Sequence, residues 1–123
     1  MYYGGAGFTD SQAGQFVNSN CGDYGFIIRY PRGAEDITGF DYEPWHIRYV
    51  GLPHSTIIMD SHYTLEEYVA SYDIGQYYSV QNCIIGRMPI DNVEIPSQYL
   101  DGTYNIQISP DNTGCIFVTI FVE

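Results

Sequence analysis

Pro44 is the residue that most constrains this chain. It stands in the stretch Ile37 to Gly51, which reads I-T-G-F-D-Y-E-P-W-H-I-R-Y-V-G. A proline has no N–H to give to a helix or an inner ladder, and its ring pushes the preceding residue into extended geometry. Glu43 is therefore held extended, three residues ahead of His46, at the entry to a strand-like run. Residues 25–30 form a second strand-like run, with Phe26-Ile27-Ile28 at its centre and Pro31 closing it. Runs 25–30 and 45–50 are expected to pair antiparallel, with the polar turn at 31–36 inside the connection. That arrangement puts Glu43 and His46 at the mouth of a small sheet.

A carboxylate beside an imidazole can do specific chemistry. A neutral imidazole is a good zinc ligand, and a nearby carboxylate that does not bind the metal can take a proton from zinc-bound water, whose pKa the metal lowers to about 7. An isolated Glu-x-x-His is still a weak signal, because short motifs recur by chance. The surrounding text carries more weight. The runs Y-G-F-I-I-R-Y-P at 24–31, I-T-G-F at 37–40, Y-E-P-W-H-I-R-Y-V-G at 42–51 and T-L-E-E-Y-V at 64–69 together resemble the C-terminal half of the bacterial zinc D-alanyl-D-alanine carboxypeptidases. Those enzymes trim peptidoglycan and include the ones associated with vancomycin resistance. The resemblance covers about residues 8–70, and E-P-W-H followed by R-Y-V-G is its most specific part.

The resemblance implies an α+β fold: a partial D-Ala-D-Ala metallopeptidase (hedgehog-like) fold with a small antiparallel sheet and short helices, followed by a C-terminal β-hairpin region. It implies that His46 is a zinc ligand and Glu43 the catalytic general base. Phe40, Tyr42 and Trp45 are candidates for the substrate wall, and Arg48 for a carboxylate partner. The family's other two zinc ligands lie in an upstream S-x-H-x-x-G-x-A-x-D pattern that this sequence does not contain. Its histidines are His46, His54 and His62, and the pair His54 and Asp60 has the wrong spacing and lies on the wrong side of the motif. The expected activity is zinc-dependent hydrolysis of D-Ala-terminated peptidoglycan stem peptides, outside the cell or at the cell envelope. The chain is expected to be truncated and inactive alone, lacking an N-terminal half. The alternative is a non-catalytic wall-binding or relic module.

Charge narrows the partners. Four arginines, no lysine and fifteen acidic residues give a net charge of -11, which repels nucleic acid and disfavours anionic membrane surfaces. No signal peptide or membrane-spanning run is legible; for a cell-wall family this is read as loss of the natural N-terminus. Cys21, Cys83 and Cys115 are odd in number and irregularly spaced, which suits small buried hydrophobes better than a disulfide framework. Thirteen tyrosines and six phenylalanines favour sheet packing.

The chain divides, on sequence, into a peptidase-like part at 1–76 and a β-rich extension at 77–123. Residues 1–8 read as a glycine-rich lead-in. A helix is expected at about 10–20 with Thr9 or Asp10 as N-cap, and Gly14 inside it costs about 1 kcal/mol relative to alanine. At 52–60, Pro53 and the β-branched residues argue against a helix, although the resembling enzymes have one. Thr64 and Glu67 have the spacing of a capping box before a short helix at 65–71. Residues 78–85 read as one strand. Residues 104–108 and 115–122 read as a hairpin around the turn 110–114.

Overall fold

The computed structural model describes residues 7–122, so most of the lead-in expected at 1–8 lies outside the described residues. Its end does not: Phe8 is buried. The chain separates into two compact units, Met1–Tyr68 and Val69–Glu123.

The first unit opens with helix α1, Gln12–Asn20. Its N-cap is Ser11, not Thr9 or Asp10: the Ser11 hydroxyl accepts from the Gly14 N–H at 3.0 Å and donates to the Phe8 carbonyl at 2.8 Å. A serine that bonds forward and backward fixes both the helix start and the buried Phe8, which neither earlier residue does. A 3-10 turn, Cys21–Tyr24, leads into strand β1, Phe26–Tyr30, which pairs antiparallel with β2, Glu43–Tyr49, as expected. Between them lies a single helical turn, α2, Glu35–Thr38.

Helix α3, His54–Ser61, forms where the sequence argued against one. Burial outweighs the weak propensity: Ile58 is 1% exposed against Ile27 at 0%, and the fully buried Ser55 donates to the Gly22 carbonyl at 2.7 Å. Pro53 stands immediately before the helix, where its missing N–H costs nothing. Helix α4, Leu65–Ala70, has the expected capping box, with Glu67 N–H donating to Thr64 Oγ1 at 3.0 Å and Thr64 N–H to Glu67 Oε1 at 2.9 Å.

The second unit is built on a four-stranded antiparallel sheet of order β3-β4-β6-β5, comprising Tyr77–Val80, Cys83–Pro89, Asn105–Pro110 and Cys115–Phe121 for β3 to β6 in chain order. The single strand expected at 78–85 is in fact a hairpin, because Gln81 adopts φ 54° and turns the chain so that Val80 pairs with Cys83. The expected β5–β6 hairpin is present, with Pro110 opposite Ile116. One face of this sheet carries Met88, Ile116, Val118 and Ile120, joined by Tyr77, Ile84 and Ile106. On the other, Phe117 packs edge-on against Tyr72, whose ring meets Tyr78 in turn. β6 is thus covered on both sides, which explains its unbroken apolar run. All three cysteines are free and buried, as expected.

Candidate active site

Regular strand alternation would send residues 43 and 46 to opposite faces, since side chains three apart differ in parity. The structure avoids this with an irregularity in the β1–β2 ladder. Ile28 pairs with Ile47 and Tyr30 with Glu43, so Pro44, Trp45 and His46 all stand opposite the single residue Arg29. A bulge of this kind re-aims side chains. It also accommodates Pro44, which has no N–H for the ladder.

The result is contact: His46 Nδ1 lies 3.1 Å from Glu43 Oε1. The second imidazole nitrogen has no protein partner among the described residues, and the His46 side chain is 45% exposed against 26% for Glu43. One ring nitrogen therefore faces the Glu43 carboxylate, while the other, across the ring, is turned away from it.

Neighbouring elements hold this segment in place. Asn18 on α1 donates to the Pro44 carbonyl at 2.8 Å, satisfying an acceptor that the bulge takes out of the ladder. Tyr30 meets the His46 ring edge-on at 4.9 Å and stacks on Phe40 at 4.4 Å. Arg29, opposite the bulge, makes a two-pronged bond to Glu66 on α4 at 2.9 and 2.8 Å. Burial tends to raise the pKa of Glu66, but the Arg29 hydrogen bond and the charges of Arg29 and Arg48 outweigh it, so the carboxyl titrates below its ordinary value. Arg48 thus acts on a structural ion pair.

Of the three aromatic residues expected to wall a substrate pocket, Phe40 joins the Tyr30–His46 stack, and Trp45 sits in the bulge, 37% exposed. Tyr42 lies elsewhere: its ring lies under the Arg32 guanidinium at 4.4 Å, lining a cavity that includes neither Glu43 nor His46. Tyr30 and Asn18 are contributors that sequence reasoning missed. Tyr30 lies in the quoted run Y-G-F-I-I-R-Y-P, but nothing in that run gave its ring a role, and Asn18 makes a contact across 26 residues. His54, set aside on spacing, is buried, 2.7 Å from the Tyr68 hydroxyl, and burial lowers its pKa to about 4.

Among the described residues, no group of three His, Cys, Asp or Glu side chains converges in a way that could hold a metal ion. Glu43 and His46 amount to one ligand and one base, and by themselves they are not a zinc site.

A mixed α+β fold thus carries a carboxylate and an imidazole joined on a bulged hairpin. Residues 5–52 match the family model VanY, D-alanyl-D-alanine carboxypeptidase. The chain is 54% identical over 61 residues to a bifunctional D-Ala-D-Ala dipeptidase and D-Ala-D-Ala carboxypeptidase, VanXYC, of Enterococcus gallinarum, a stretch covering 50% of this chain and 32% of that protein. It is 54% identical over 56 residues to a D-alanyl-D-alanine carboxypeptidase of Enterococcus faecium, covering 46% of this chain and 18% of the relative. Among solved structures, the vancomycin resistance D,D-dipeptidase VanXYg, in complex with a D-Ala-D-Ala phosphinate analogue, matches with a TM-score of 0.67 at 32% identity, over 87% of this chain and 45% of that one. The LdcB LD-carboxypeptidase matches with a TM-score of 0.51 at 48% identity, over 54% of this chain and 31% of that one. The chain is similar to part of these proteins, and the matched stretches span a third or less of the two curated relatives.

Proposed function

We propose that this chain is the part of a D-alanyl-D-alanine carboxypeptidase that carries the general base. In this reading Glu43 accepts the proton of the attacking water and returns it to the leaving amine, while His46 is one of three zinc ligands. The other two ligands come from polypeptide that the described residues do not include. When bound, zinc lowers the pKa of its water to about 7 and polarises the scissile carbonyl. This chain's own residues supply orientation: the bulge brings Glu43 to His46, Tyr30 fixes the ring plane, and Asn18 fixes the backbone between them. The substrate is a D-Ala-terminated stem peptide of peptidoglycan, and the place of action is the cell envelope. The observation that carries the proposal is the 3.1 Å approach of Glu43 and His46, in a segment with relatives named for this activity.

The test is D-alanine release from a D-Ala-D-Ala peptide by this chain joined to, or mixed with, a segment bearing the two missing ligands. Glu43→Gln is expected to lower the rate by about 100-fold to 10,000-fold, the range for loss of a general base, while zinc stays bound. Release that survives a chelator, or an undiminished rate in the glutamine variant, would refute the mechanism.

A further inference from the structure

The cavity lined by Tyr42 lies apart from the Glu43–His46 pair. Its volume is about 350 Å³, within the range of small-ligand sites. Ile28 of β1, Ile37 of α2, and Ile58 and Met59 of α3 give it an apolar wall, and Arg32 and His62 give it donors. The guanidinium is the informative group. Arg29 is paired with Glu66 and Arg87 with Asp111, but among the described residues Arg32 faces no carboxylate and rests only on the Tyr42 ring, 4.4 Å away. The ring of His62, a residue held at φ 58° as the C-cap of α3, likewise has no hydrogen bond or ion pair among the described residues, its backbone N–H alone being bonded to the end of the helix. The cavity's one carboxylate, Glu67, is already engaged by the Thr64 N–H at 2.9 Å.

We propose that this cavity is a binding site for a small monocarboxylate with an aliphatic body. The carboxylate pairs with Arg32, and the body lies against Ile28, Ile58 and Met59. The charge of the whole molecule decides between ligands. At a net charge of -11, a bare inorganic anion would meet one guanidinium against a repulsive field. A carboxylate that also buries an apolar chain gains where the field cannot oppose it. A cationic or neutral apolar ligand would leave Arg32 unpaired.

The probe is 4-methylpentanoate, titrated into the 123-residue chain and followed by NMR at the methyl groups of Ile28, Ile58 and Met59. Saturable shifts at these methyls are expected, weakened about 2-fold to 5-fold in Arg32→Gln and with 4-methylpentanamide, the size of effect an ion pair at an exposed guanidinium supplies. Arg32 is exposed, so the variant should keep the wild-type spectrum elsewhere. Absence of saturable shifts, equal affinity for the amide, or unchanged affinity in Arg32→Gln would each overturn the proposal. The readout needs neither zinc nor D-alanine release, so its failure leaves the carboxypeptidase reading standing, and the reverse also holds.

Discussion

Gly14 shows how a single position can reverse the sign of a propensity argument. In isolation, a glycine inside a helix is worth about 1 kcal/mol less than alanine. Here the glycine is buried, and a Cβ added to it would collide with the Phe8 carbonyl and crowd Ser11 Oγ. Gly14→Ala is therefore expected to destabilise the chain by roughly 1–3 kcal/mol, the usual range for overpacking, as read from the urea midpoint. A gain in stability would show that Phe8 is not held there. His54 gives a pH prediction. Its folded pKa of about 4 lies below its ordinary value of 6.5, through burial, so the unfolded chain binds the proton more readily between those values. Its contribution is complete above pH 6.5 and lost as pH falls towards 4, about 3 kcal/mol in all. Urea midpoints at pH 7 and 4.5 should diverge more in the wild type than in His54→Gln. The Glu43–His46 pair was legible in the letters, but the Gly14 contact was not, because it depends on where Phe8 goes.

Elements show the same division between local and non-local information. The capping box of α4 and the β5–β6 hairpin were readable because each depends on residues close in sequence. Helix α3 was obscured, since its stability comes from burying Ser55 and Ile58 and not from its own composition. The bulge in β2 was likewise invisible: two residues between a glutamate and a histidine say nothing about ladder register, which needs Arg29 of the partner strand. The letters E-P-W-H moved into a regular hairpin would point their two functional groups apart. In the β5–β6 turn, Asp111 accepts from the Thr113 and Cys115 N–H groups at 2.7 and 3.2 Å and from Arg87 Nε at 2.9 Å. Burial acts to raise its pKa, yet the bonds from Thr113, Arg87 and Cys115 prevail and hold it below the ordinary value. Asp111→Ala would leave a guanidinium and two amides without their acceptor, so a loss of about 3 kcal/mol is expected, along with faster hydrogen exchange at Cys115. Exchange as slow as in the wild type would show that the turn holds without Asp111.

For the whole molecule, metal affinity is the sharpest prediction. With one imidazole and no converging set of three ligands among the described residues, the chain alone is expected to bind zinc weakly at most. Stoichiometric zinc in the purified chain, lost in His46→Ala, would show a ligand set that the structure does not display. The fold class followed from the sequence because the motif text lies in the first unit, whereas the match to VanXYg at 87% of the chain exceeds what that unit alone could provide. Strand β6 leaves one further consequence for the molecule. Its seven residues, C-I-F-V-T-I-F, hold neither charge nor proline nor glycine, the profile of a segment that self-assembles into cross-β stacks once its two covers come away. Unfolded chains should therefore be lost to aggregation more readily in high salt, where the mutual repulsion of highly acidic copies is screened and that strand is no longer kept from its neighbours.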